Sequence, residues 1–411
     1  MFKNINILKE SIWAFLGQFL SIIAIVLGIR LVTEVVDPEH YGQYVIFSGI
    51  ILLAFNLISG SIFQSFLRII PEKDANKSIL LSSKIIIAFC AILSISLTLN
   101  LLINSYIFFL VSVFFAFLIS EHLVGFYKVL MNINKEQKKY AFFQIFLSCM
   151  RPVLAVMYYK YFDNKFTSLL YGYISANLLI VFIFFGNKTL TDLKKSFRKK
   201  INLNEFSEFW TYSKPLVFQK IFGWSMNNID KYIIAFFLGN NTLGQYAPIV
   251  SLVSMLYLTT SEAINIIFRP YYFKYIAKKE ITKSKKILKM YGIVLLFASI
   301  LYILVFSFFN LQIANMMLGE NFRSFYFLLP ILSVGFTFLV FGYFFATICL
   351  AYKKTWLVFN IECIAAILNI LFVPIAVYKF GINGLPFALL LTYFFHCTVA
   401  YYFAIGIDKN E

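Results

Sequence analysis

Apolar runs long enough to cross a bilayer recur along the whole chain. They lie at about 12–33, 43–66, 78–98, 106–127, 140–159 and 167–186, and again at about 214–238, 245–268, 289–309, 325–349, 355–377 and 383–405. A membrane helix needs about 20 consecutive apolar residues, because only a helix satisfies its own backbone groups without water. The runs also lack the two-residue alternation of barrel strands. Twelve membrane-spanning helices are therefore expected. At 61% hydrophobic and 13% charged, the chain is far from a soluble domain, which carries about 25% charged residues. Twelve spans use nearly all of its apolar residues, leaving no room for a separate catalytic domain. The 50 Phe and 26 Tyr exclude a disordered chain.

The formal net charge of +17 would suggest nucleic acid in a soluble protein. Its placement argues otherwise. With the N-terminus assigned to the cytoplasm, twenty-seven basic residues fall in inside segments. The outside loops hold four, Lys160, Lys165, Arg323 and Lys379. That asymmetry is what the positive-inside rule produces for an even number of spans with both termini cytoplasmic. Met1–Glu10 is polar and has no small-residue cleavage site, so the first run is expected to remain as a span. Cys90, Cys149, Cys349, Cys363 and Cys397 sit in apolar stretches at no metal spacing and read as buried hydrophobes. His40, His122 and His396 are scattered. No metal site, no cofactor and no nucleic-acid partner is expected.

The longest polar segment lies mid-chain and inside. Three domains follow: a six-helix lobe over 1–186, a basic cytoplasmic linker over 187–213, and a second six-helix lobe over 214–411. Leu203, Phe206 and Trp210 share one helical face, so the linker ends either in a helix lying on the membrane surface or in a solvated stretch. The outside connections are short, which disfavours a membrane glycosyltransferase or polymerase.

The second half echoes the first. Tyr41-Gly42-Gln43-Tyr44 opens the second run and Leu243-Gly244-Gln245-Tyr246 the eighth. Arg68 and Pro71 close the second run as Arg269 and Pro270 close the eighth, and Arg30 aligns with Lys231. A repeat of six spans returns the chain to its starting side. Two such repeats share one orientation and are related by a pseudo-two-fold axis along the membrane normal, with a cavity between them. This is transporter architecture.

Charges inside the runs are costly, about 2.5–3.5 kcal/mol each at the bilayer centre, and normally face protein or a watery cavity. The bases are Arg30, Lys84, Arg151, Lys220 and Lys231, and the acids Glu121, Asp230, Glu262 and Glu362. Lys84 and Lys220 lie within snorkelling reach of the cytoplasmic end. Glu362 is also near that end, and Arg30 near the outer one. Arg151 is near mid-span beside Pro152, the strongest candidate to line a cavity. Asp230 and Lys231 are adjacent and point about 100° apart, so they do not pair face to face. Glu121 and Glu262 read either as ion-coupling sites or as partners that neutralise the arginines. A cavity with excess positive charge suits an anionic cargo, since Arg binds phosphate with two parallel hydrogen bonds.

A first run with Gln18 leads through Arg30 to Pro38 and Tyr41-Gly42-Gln43-Tyr44. The seventh carries Pro215, Asp230-Lys231-Tyr232 and Gly239 before Leu243-Gly244-Gln245-Tyr246. This pattern resembles the polysaccharide-biosynthesis flippases, O-antigen-unit translocases of the multidrug/oligosaccharidyl-lipid/polysaccharide exporter superfamily. The resemblance implies an all-α integral membrane fold in which two six-helix lobes form a V that opens alternately to each side. It implies as cargo an undecaprenyl-pyrophosphate-linked oligosaccharide, moved from the cytoplasmic to the periplasmic leaflet of a bacterial inner membrane without covalent chemistry. Arg30, Arg151, Lys220 and Lys231 are the positions that match a cationic lumen. Glu121, Asp230 and Glu262 are the candidates for H+ or Na+ coupling. A polysaccharide polymerase and chain-length proteins are the implied partners, beside membrane lipids. The rival is a cation-coupled multidrug exporter of the same fold. Many such exporters carry an acid within the first helix, where this chain has Glu34 at the outer end.

Overall fold

The computed structural model describes the backbone of residues 2–63, 66, 76–134, 136–184 and 203–408. The described residues are helical nearly throughout. The first six helices are α1 (Phe2–Val35), α2 (Pro38–Phe55), α3 (Asn76–Ile103), α4 (Tyr106–Ile133), α5 (Gln137–Tyr161) and α6 (Phe166–Phe184). The continuous stretch Leu203–Ala277 is two helices joined at Gly239, whose φ of 84° and ψ of 167° break the spiral; we call them α7 (203–238) and α8 (240–277). α9 (Ile281–Phe308), a short helix Asn310–Met317, α10 (Leu329–Ala351), α11 (Thr355–Phe380) and α12 (Leu385–Asp408) complete the chain. Eleven helices among the described residues are long and apolar enough to cross a membrane, and one of them, 220–277, is the bent pair. Counting that pair as two gives twelve such helices among the described residues, in step with the twelve apolar runs, and the fold is that of an all-α, multi-pass membrane protein.

The helices overrun the apolar runs at their ends. α4 extends six residues beyond the run that ends at 127, which brings Lys128 inside a helix rather than a loop. Residues 203–213 are the first turns of α7. The rest of the basic linker, 187–202, lies outside the described residues, as do Arg68 and Pro71 of the repeat.

Two compact units are formed. The first comprises Met1–Val36 and Ile46–Ile221, the second Asp37–Val45 and Phe222–Glu411. In the first unit α1 packs along α5, α5 along α6, and α4 against α3 and α6. Lipid is as apolar as leucine, so helices associate in it by close packing of small residues rather than by the hydrophobic effect. Gly17 of α1 leaves no space for a side chain against Ala141, a Cβ there lying 2.5 Å from that of Ala141. Gly172 of α6 abuts the backbone of Ala155. A ring cluster of Phe63, Phe66, Phe126 and Phe143 fills one end of the unit. In the second unit α10 packs along α12, with α9 and α11 against them. Outward faces carry apolar side chains, as Leu101, Phe182 and Phe236 show at 83%, 79% and 83% exposure. Such surfaces are stable only against acyl chains.

Candidate functional site

The first unit buries one charged network. Arg151, midway along α5, donates from Nη2 to Glu121 Oε1 of α4 at 2.5 Å and from Nε to Asn177 Oδ1 of α6 at 2.9 Å. The Asn177 amide donates in turn to Glu121 Oε1 and to Ser120 Oγ, each at 3.0 Å. The guanidinium also lies over the Tyr173 ring, 5.9 Å from its centre. Three helices thus converge on one planar fork. The arrangement orients Arg151 and compensates its charge, leaving about a fifth to a quarter of each charged side chain exposed. Lys128, two turns from Glu121 on the same face of α4, interacts electrostatically with both Glu121 and Arg151. Both cations are thus within electrostatic range of that carboxylate, to which Arg151 is bonded. Lys128 lies one residue past the apolar run that ends at 127, and its seven-residue spacing from Glu121 is the sequence signal that places it on this face.

The second unit holds its charges differently. Asp230 on α7 is buried and accepts from the Tyr246 hydroxyl at 3.0 Å through Oδ2, while its Oδ1 has no hydrogen-bond partner. Lys231 Nζ has hydrogen-bond partners of its own. It donates to Asn228 Oδ1 at 2.8 Å and to the Asn227 carbonyl at 3.2 Å. Asn369 of α11 ties this stretch down by donating to the Met226 carbonyl at 2.8 Å. The two neighbours thus hydrogen-bond through their side-chain ends to different partners, while their charges still attract one another.

Arg30 pairs with Glu34 one turn along its own helix at 2.6 Å. Lys220 is half-buried on α7, and Glu262 is exposed on α8. Both arginines therefore end on carboxylates. Glu362 meets instead a residue that the sequence did not single out: its Oε1 lies 3.8 Å from Nε2 of fully buried His396 on α12, neither of whose ring nitrogens is hydrogen-bonded. Gly342 of α10 makes room for that imidazole, since a Cβ at 342 would fall on Nδ1. His122 is buried too, bonded to Ser59 Oγ at 2.9 Å and ringed by Phe63 and Phe89. Among the described residues no three His, Cys, Asp or Glu side chains cluster as a metal site.

The fold is that of an integral membrane protein with charged residues held inside its helices. The model of the polysaccharide biosynthesis protein family matches residues 31–324, and the chain belongs to that family. No curated protein matches it in sequence. Among solved structures, it is similar to an inward-facing multidrug-resistance MATE transporter of the MOP superfamily, with a TM-score of 0.72, 13% identity, and 96% of this chain and 95% of that one covered. It is also similar to the lipid II flippase MurJ in an inward closed conformation, with a TM-score of 0.67, 16% identity and coverage of 98% and 87%. A MOP-superfamily transporter from Pyrococcus furiosus, described as having a binding pocket of reverse polarity, gives 0.64, 13%, and 98% and 95%. These likenesses establish the fold, that of the MATE and MurJ proteins.

Proposed function

We propose that this protein is a flippase that carries an undecaprenyl-pyrophosphate-linked oligosaccharide, an O-antigen or similar polysaccharide repeat unit, from the cytoplasmic to the periplasmic leaflet of a bacterial inner membrane by alternating access. The observation that carries the reading is family membership over residues 31–324 on a fold also used by a lipid-linked-precursor flippase. The charges support it. Lys128, Lys220 and Lys231 join Arg151 as cations within the spans, and a cation in low dielectric binds a pyrophosphate strongly. Arg151, already oriented by Asn177 and Glu121, presents a preorganised donor set. Arg30 is assigned to the same cationic lining. The cargo binds both open states, so the two differ by only a few kcal/mol. Ion coupling falls to Asp230, with Glu121 and Glu262 as the other candidates for H+ or Na+, and the polymerase and chain-length proteins receive the product.

A buried carboxylate with one oxygen unbonded, Asp230, also suits a cation, and it favours the second reading of a cation-coupled multidrug exporter. Proteoliposomes decide between them. On the flippase reading, a polyprenyl-pyrophosphate oligosaccharide added to one leaflet becomes accessible to an external lectin, while a cationic dye stays put. Dye efflux without lectin accessibility would reject it.

A further inference from the structure

A cleft of about 380 Å³ opens in the second unit between the end of α8, the first turns of α9 and the ends of α10 and α12. Its walls are apolar and aromatic, from Tyr272, Phe345, Ile348 and Tyr401, and Gly292 of α9 faces Phe344 across it. Lys285 and Lys289, one turn apart on α9 and both exposed, stand on one wall, and no lining residue is acidic. The cleft lies at the end of the helices where Lys274, Lys278, Lys279, Lys353 and Lys354 also cluster, the side that the basic loops mark as cytoplasmic.

We infer that this cleft binds an anionic glycerophospholipid of the cytoplasmic leaflet, its phosphate at Lys285 and Lys289 and an acyl chain along the aromatic floor. The chemistry selects an amphiphile. Two ammonium groups above an apolar cavity match a charged head joined to a hydrocarbon tail, whereas a free phosphate gains nothing from the floor and a zwitterionic head gains little from the lysines. Basic pockets between helices at the cytoplasmic surface favour anionic headgroups on the same grounds. The site lies wholly in the second unit and neither Asp230 nor Lys231 lines it, so it acts as a lipid anchor for that unit.

The test uses the full chain in a non-ionic detergent, with binding of phosphatidylglycerol, phosphatidylcholine and undecaprenyl phosphate read by native mass spectrometry. Phosphatidylglycerol should bind in preference to the other two. Lys285→Ala with Lys289→Ala should weaken it roughly 25-fold, about fivefold for each lysine. Lys285→Arg with Lys289→Arg should retain it. Gly292→Leu fills the cavity without touching the charges and should also abolish binding. The position is helical, and a Cβ there makes only an ordinary 3.4 Å contact. Equal binding of phosphatidylglycerol and phosphatidylcholine, or unchanged binding in the double alanine variant, would overturn the assignment. Displacement of phosphatidylglycerol by equimolar undecaprenyl phosphate would also overturn it and make the cleft a dock for the cargo's tail.

Discussion

Arg151 does two things at once, and they can be separated. Its bonds to Glu121 and Asn177 join α4, α5 and α6, so part of any loss on substitution is structural. Truncating one member of a fully buried pair costs about 3–5 kcal/mol; here both are partly exposed, and about 1–3 kcal/mol is expected. Arg151→Met should therefore insert into the membrane and fail to complement a polysaccharide-export defect. Arg151→Met combined with Glu121→Gln removes the orphaned carboxylate and should regain stability in detergent. If the cation serves the cargo, export stays lost in the double variant while Glu121→Gln alone still exports; if the double variant exports normally, Arg151 is purely a strut. The exclusion of a direct Asp230–Lys231 pair was legible from adjacency alone, since neighbours on a helix diverge. The Glu121–Arg151 bond was visible only as one of two options, because contact between α4 and α5 depends on packing that no local spacing encodes. His396 was missed for the same reason, its proximity to Glu362 being set by α10, α11 and α12 together.

At the scale of the helix, glycine decides where the chain turns and where backbones meet. Gly239 occupies a region of backbone space that is essentially glycine-only, between two spans that would otherwise be one. Gly239→Ala should lower stability by about 1–3 kcal/mol, read as a shifted unfolding midpoint in detergent. The repeated motifs also meet. A Cβ on Gly42 would fall on the Asn240 carbonyl and one on Gly244 on the Pro38 carbonyl, both within the second unit. Backbone cannot rotate aside, so Gly42→Ala or Gly244→Ala should sharply reduce the yield of folded protein. Gly406→Ala, with nothing within 4 Å, should leave it unchanged. Equal yields from all three would remove the close approach from the account. The helix count was readable because each span carries its own apolar run. The ends were not, because α4 and α7 continue into polar sequence where hydropathy no longer marks them.

For the whole molecule, the placement of basic residues predicts the orientation on which the proposed translocation depends. In a variant lacking the five cysteines, Asn164→Cys should react with a membrane-impermeant thiol reagent on intact cells, and Lys279→Cys only after permeabilisation. The reverse pattern would invert the topology and the direction of transport with it. The central claim is that cations within the spans engage a pyrophosphate. The most direct measurement compares two cargoes in reconstituted vesicles, identical in sugar and polyprenyl tail, one joined through pyrophosphate and the other through a neutral ether. The account predicts rapid transfer of the first and little of the second. Equal rates for both would mean that the charges inside this fold have another purpose.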